Sequence, residues 1–383
     1  MEHAFPKNEE VQIDPTRLST PGLRTVPVQI LPPPPPSPSR NAQAVADASA
    51  RALQFFGTLF GPYPYSGLAV TQMPGVVSQG WPGLIFLSSY AFLTPIEKSQ
   101  QHMSPVVKTL SEQVIAHETA HQWWGDAVLW SGYRDQWMME ALANYSSLML
   151  LQSEDPLQFR AVMAKYREDL LEKNKEGLPL MNAGPVTFGA RLSCSHFPAG
   201  YEAISYGRGT WLVHMLRSMM RDAETIPGRS LRGAPETRSA EESFIRALRI
   251  VRERYEGKSI TTRELLRVFE EQLPPSLWYE GKKSLDWFYK GWINGTAIPK
   301  LELQGVKYSD KAGSTAVSGT ILQKNVTNEL VTSVPVYAAI AGKTVLIGRV
   351  FADGPESQFH LTAPAGTRRI VLDPNQTLLT RVR

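Results

Sequence analysis

Apolar residues recur at helical spacing over most of the chain up to about position 290 and alternate with polar ones after it. A period near 3.6 places positions three and four apart on one face, whereas strict alternation marks a half-buried strand. The first pattern predicts helices over 42–60, 105–124, 133–152, 156–174, 206–221, 241–255 and 261–272. Gly61-Pro62 stops the first of these, and Thr261 with Glu264 spells a capping box at the start of the last. Short strands are expected at 68–71 and 83–88, separated by a Gly/Pro-containing stretch, 72–82. Loops are expected at 177–200 and over the Arg/Gly/Pro/Ser-rich 224–240.

After Trp292-Ile293-Asn294-Gly295 the pattern changes. Alternating runs at 316–322, 330–340, 344–351, 358–362 and 369–372, among others, predict a β-sandwich of about 80 residues. Residues 1–40 include the run LPPPPPSP and read as a linker of polyproline II character. The expected fold class is α+β in three segments: a Pro-rich 1–40, a mainly helical 41–298 and a sandwich at 299–383.

Composition narrows the function classes. With 42% hydrophobic and 20% charged residues among 383, the chain can build packed cores. Forty basic residues against 36 acidic ones leave a net charge of only +4, which does not imply nucleic-acid binding. The single cysteine, Cys194, excludes an internal disulfide framework and a Cys-based zinc ribbon. The opening MEHAFPKNEE is not a basic start followed by an apolar stretch, and no run of about 18 apolar residues occurs. The sequence as written predicts neither an export signal nor a membrane span, and the compartment stays open.

His117-Glu118-Thr119-Ala120-His121 is an H-E-x-x-H pattern inside a predicted helix. Residues i and i+4 share a helix face, so both imidazoles can point at one ion. Glu118 lies one residue off that face, where its carboxylate can reach the attacking water without ligating the metal. A third ligand is needed. Glu140 follows His121 after 140 − 121 − 1 = 18 intervening residues, within otherwise apolar and small neighbours, where a carboxylate requires a partner. Two histidines and one glutamate suit zinc better than magnesium or calcium, which favour oxygen shells. One Zn²⁺ per chain and metal-assisted hydrolysis of peptide substrates follow.

At these residues the sequence resembles the gluzincin metallopeptidases of the aminopeptidase N family, which also includes leukotriene hydrolase. H-E-x-x-H, eighteen residues, then Glu is that signature. His121-Gln-Trp-Trp-Gly-Asp126 is similar to the family's H-x-W-x-G-N/D, and Trp137-Met-Met-Glu140-Ala-Leu-Ala143-x-Tyr145 to its W-L-N-E-G-F-A-x-Y. Ser205-Tyr206-Gly207-Arg208-Gly209 resembles Y-x-K-G. The resemblance implies a thermolysin-like catalytic domain followed by a β-sandwich, with Tyr206 as the hydroxyl that donates to the oxyanion.

Two departures bear on substrate. The family's aminopeptidases carry G-x-M-E-N, whose Glu holds the free α-amine; here the corresponding segment is 77–85, with Gln79, Gly80 and Trp81 as substrate-binding candidates and Gly80 where that Glu would stand. The large N-terminal β-domain of the family is also missing from this sequence, which would expose the surface that meets it. Aminopeptidase, endopeptidase or relaxed exopeptidase, and a zinc-containing scaffold without turnover therefore stand as alternatives.

Other polar residues carry less. Cys194 and His196 are adjacent in a loop without further signs of a nucleophile and base, and His214 reads as a packed histidine. His3, His102 and His360 have no neighbours that argue for a site, and Trp123 and Trp124 read as core and pocket wall. Asp126 and Asp135 are both candidates for the carboxylate that orients a ligating imidazole.

Overall fold

The computed structural model describes residues 41–100, 104–225, 242–327, 329–340 and 342–381. The Pro-rich run, nearly all of the 224–240 loop, His3 and His102 lie outside the described residues. Helix α1, Ala42–Phe60, buries Ala52, Phe56 and Phe60 and ends at Gly61 as its spacing predicts. It leads into a three-stranded sheet of β1 (Ala69–Met73), β2 (Gln79–Trp81) and β3 (Leu84–Ser88), in the order β1-β3-β2. Strand β1 runs parallel to β3 and β2 antiparallel to it, so β2 is an edge. The Gly/Pro-containing stretch at 72–82 thus contains a strand, too short to show as alternation.

Helix α2, Pro95–Gln100, precedes α3, Pro105–His121, which starts at a Ser104 cap. The helix expected to reach 124 stops at His121, because Gly125 turns the chain with φ +120° and Val128–Trp130 (β4) follows. Helix α4 spans Trp137–Glu154 and α5 Pro156–Leu171. The expected loop at 177–200 carries two 3₁₀ turns, Leu180–Ala183 and Val186–Leu192. The helix predicted to begin at Tyr206 begins as a π-helical segment, Glu202–Arg208, that runs into α6, Gly209–Thr225.

Helix α7, Ser243–Tyr255, strand β5, Lys258–Ile260, and α8, Thr262–Glu271, complete the helical part. The capping box forms as expected, with Thr261 and Glu264 each accepting from the other's backbone N–H. Asp286–Phe288 and a π-helical Tyr289–Ile293 lead to the strands.

Six strands follow: β6 (Lys300–Lys311), β7 (Ser314–Lys324), β8 (Val331–Ile340), β9 (Lys343–Asp353), β10 (Glu356–Pro364) and β11 (Ile370–Leu372). They form two three-stranded sheets, β10-β7-β6 and β11-β8-β9. Strand β8 does not alternate; its first eight residues are all buried, since α6 covers one side of a strand already flanked by β9 and β11. One continuous apolar core runs from α1 through the helices into the strands, and the Trp292 indole crosses that junction by donating to the Val331 carbonyl at 2.8 Å. The architecture is mixed helix and sheet, as the α+β expectation requires. Among the described residues no helix is long and apolar enough to cross a membrane.

Candidate metal centre

Two packed helices bring the three metal-ligand candidates together. His117 and His121 lie in the last turns of α3 and Glu140 lies in the first turn of α4. There the helix dipole favours a carboxylate. His117 Nε2 and His121 Nε2 are 3.0 Å apart, and Glu140 Oε2 is 3.6 and 3.5 Å from them. All three ligand atoms fit within 4.8 Å of one another. Two nitrogens facing each other at that distance beside a buried carboxylate are what a shared cation would reconcile. Glu140 Oε2 is buried with no hydrogen-bond partner, an orphaned acceptor at the centre of the cluster. Burial pushes the Glu140 carboxyl up, but the two imidazoles facing it outweigh burial and hold it well below the usual carboxylate range. The donor set fits a metal ion of the zinc type.

His121 is oriented by a group that sequence could not name. Its Nδ1 meets the Trp124 carbonyl at 2.8 Å, which leaves Nε2 aimed at Glu140. Neither aspartate candidate takes that role. Asp135 accepts from the Thr262 backbone N–H and hydroxyl at 2.8 Å each, and Asp126 accepts from Gln122 at 3.0 Å. A backbone carbonyl three residues past the helix end has no side-chain signature.

Glu118 is buried beside the histidines. Desolvation raises its carboxyl above the ordinary value, against the opposing pull of His117 and His121, and the Gly80 backbone N–H donates to it. Tyr206 lies across the cluster with its ring 5.7 Å from that of His117. Burial and the Glu140 carboxylate hold its phenol far above the usual range, so it stays a proton-bearing donor. Its position in a π-helical segment matches a general tendency of such bulges to occur at functional sites.

Gln79, Gly80 and Trp81 form edge strand β2, packed against α3. A Cβ on Gly80 would sit 2.8 Å from His121 Cβ and 2.9 Å from the Glu118 carbonyl, so the strand lies directly on the histidine helix. Trp81 is exposed, its indole donating to Gln79 Oε1 at 3.3 Å.

One residue was missed. Gln122 is fully buried, its Oε1 accepting from the Gly83 N–H at 2.9 Å and Tyr63 hydroxyl at 3.1 Å. Its Nε2 donates to the Trp81 carbonyl at 2.8 Å and to Asp126. The amide thereby fastens the end of β2 to the end of α3; its setting beside Trp123-Trp124, both wholly buried, was the available signal.

The residues set aside earlier stay outside the cluster. Cys194 is exposed and His196 pairs with Glu176 at 2.7 Å. His214 is buried against Tyr145, Phe159 and Trp211, as a packed histidine should be. His360 is exposed on β10, and Trp123 and Trp124 are core.

Two histidines one helical turn apart and a carboxylate from the next helix, with a sheet edge alongside, make a group that could hold a metal ion. In comparison with known proteins, residues 45–231 match the Peptidase family M1 domain. Endoplasmic reticulum aminopeptidase 2 of Bos taurus is 25% identical over 181 residues, covering 46% of this chain and 18% of that protein. Aminopeptidase N of Lactobacillus helveticus is 24% identical over 180 residues, 46% of this chain and 20% of the relative. The thyrotropin-releasing hormone-degrading ectoenzyme of Rattus norvegicus is 28% identical over 177 residues, 44% and 16% respectively. The matched region spans no more than about a fifth of the length of these curated relatives.

Proposed function

We propose that this chain is a zinc-dependent peptidase whose favoured activity is removal of N-terminal residues from peptides. The observation that carries the reading is the buried, unpartnered Glu140 Oε2 facing two histidine nitrogens inside the region that matches the Peptidase family M1 domain. His117, His121 and Glu140 would hold the ion. Zinc supplies Lewis-acid polarisation of the scissile carbonyl and makes water nucleophilic near neutral pH.

The chain's own groups do the rest. Glu118, with its carboxyl raised by burial, accepts the proton of the attacking water and delivers it to the leaving nitrogen. Tyr206 keeps its hydroxyl proton and donates it as a hydrogen bond to the oxygen that becomes anionic. Edge strand β2 borders the cluster, with the Gly80 N–H given to Glu118 and the Trp81 carbonyl to Gln122, and an extended peptide would run beside Gln79, Gly80 and Trp81 on the backbone groups that remain. We read 41–298 as the catalytic, thermolysin-like domain and 299–383 as the sandwich that buttresses it.

A second reading rests on Gly80. With hydrogen alone at that position and no room for a side chain, β2 supplies no carboxylate for a free α-amine, which favours endopeptidase or relaxed exopeptidase action. Removing one charge-assisted contact to an ammonium would weaken selectivity for free N-termini by about 1.5–3 kcal/mol. Metal analysis with a panel of free and N-blocked peptides separates the readings. Cleavage of free N-termini alone identifies an aminopeptidase, cleavage of both an endopeptidase or relaxed enzyme, and bound zinc without cleavage a scaffold. Glu118→Gln should keep zinc and lose turnover by about 10²–10⁴-fold. An active Glu118→Gln protein sinks the assignment.

A further inference from the structure

A second cavity lies away from the metal cluster, where α5 and α6 meet the strands. Its volume is about 500 Å³, within the range of roughly 300–1,000 Å³ common for small-molecule sites. Gln152 near the end of α4 and Ser218 on α6 line it. Each stands twelve residues along the chain from a group of the metal cluster, Glu140 and Tyr206, which is about 18 Å of helix. The cavity is therefore separate from the candidate active site.

Its charge is lopsided. Arg160, Arg167 and Arg221 line it, against one lining carboxylate, Asp222, which is already paired with Arg349. Arg221 has Glu242 at 3.6 Å, but Glu242 is engaged more closely by Arg217, at 2.8 Å. Arg167 is the telling residue: only 6% exposed, it has no ion pair among the described residues. One guanidinium nitrogen donates to Gln376 Oε1 at 3.0 Å, and the group sits 5.5 Å from the Trp211 ring. Glu168 and Asp373 are the acidic groups that act on it, and neither forms an ion pair with it among the described residues. Asp373 accepts from the Thr377 amide and hydroxyl and the Leu378 amide, and Glu168 is exposed. A guanidinium this buried, with no carboxylate in ion-pair contact among the described residues and only Glu168 and Asp373 acting on it through space, is left for an anion to complete. His214, also on the wall, is held neutral by burial and adds no competing charge.

We propose that this cavity binds a small organic oxyanion, a carboxylate or phosphate carried on an apolar body. Arg167 takes the anionic group in the fork geometry that guanidinium offers such oxygens, with Arg160 and Arg221 at the cavity's exposed side. Phe159, Met163, Trp211 and Leu346 supply the apolar wall for the remainder.

Isothermal titration calorimetry on the full chain tests this with inorganic phosphate, 3-phenylpropionate and the uncharged 3-phenylpropionamide. At least one of the two anions should bind and the amide should not; which anion binds distinguishes a phosphate-bearing from a carboxylate-bearing ligand. Arg167→Gln should weaken binding by about ten-fold or more. Ala164→Trp, which fills the cavity and leaves Arg167 in place, should abolish binding and keeps the test decisive if Arg167→Gln fails to fold. Failure of both anions to bind, equal binding of the amide, or unchanged anion affinity in the folded variants overturns the proposal. The last result would place the anion elsewhere, the metal cluster included.

Discussion

Gly80 and His121 approach so closely that a single added carbon on Gly80 would lie 2.8 Å from His121 Cβ. The edge strand beside the candidate metal site is thus held at backbone distance from the helix that carries both histidines. Gly80→Ala should destabilise the protein by about 1–3 kcal/mol in urea unfolding, because the neighbours are helix backbone and a fixed ring. Gly80→Glu should lose activity rather than gain selectivity for free N-termini, as the carboxylate has no room to be placed where a family aminopeptidase keeps one. Enhanced preference for free over N-blocked peptides in Gly80→Glu would count against this geometry.

Gln122 uses all four of its amide hydrogen-bonding positions, on Tyr63, Gly83, Trp81 and Asp126. Gln122→Leu strands the Gly83 N–H and the Trp81 carbonyl, at about 1–3 kcal/mol for each group left buried and unpaired. On the proposed reading zinc stoichiometry should be unchanged, since Gln122 is none of the three ligand candidates, while KM rises as β2 loosens. Unfolding curves, metal analysis and peptide kinetics on one preparation check the three parts.

Much of the centre was legible because it is local. H-E-x-x-H and the helical period fix both histidines on one face, and eighteen intervening residues let α3 turn and α4 begin with Glu140 in its first turn. The capping box at Thr261 was equally visible, being a contact between residues three apart. What failed to show depends on backbone or on distant packing. The Trp124 carbonyl orients His121, yet any residue supplies a carbonyl. The π-helical turn around Tyr206 adds one residue to a turn without changing the apolar pattern enough to read. Strand β8 lost its expected alternation because its second face is buried by a helix far away in sequence.

Arg208 ties that π-helical segment to the junction with the strands. It is fully buried, donating to the carbonyls of Trp292 at 3.0 Å, Thr296 at 3.1 Å and Ala297 at 3.4 Å. Burial draws its pKa down to about 10, with no carboxylate among the described residues to offset it. Arg208→Met should cost about 2–5 kcal/mol, since the Trp292, Thr296 and Ala297 carbonyls lose their donor together. Because Tyr206 is two residues away, kcat should fall as well, whereas Arg208→Lys should recover part of the stability. Full stability in Arg208→Met would show that water replaces the guanidinium without penalty.

His214 gives the fold a sensitivity to acid. Its ring is buried between Phe159 on α5 and Trp211 on its own helix, and its Nδ1 lies 2.9 Å from the Tyr145 hydroxyl on α4. Burial, reinforced by Arg217 and Arg221, pushes its pKa down to about 3. An unfolded chain protonates this histidine near pH 6.5, and the folded chain does not until about pH 3. The unfolded state therefore binds more protons throughout that window. Its contribution to stability is complete above about pH 6.5 and is lost as pH falls toward 3, at up to about 1.4 kcal/mol per pH unit. Replacing it by Gln, which can still reach the Tyr145 hydroxyl, removes this titration. Urea unfolding at steps between pH 7 and pH 4 should give a flatter stability profile for His214→Gln than for the parent chain, the two diverging as pH drops. Parallel profiles would mean that His214 is protonated in the folded protein near its ordinary pKa.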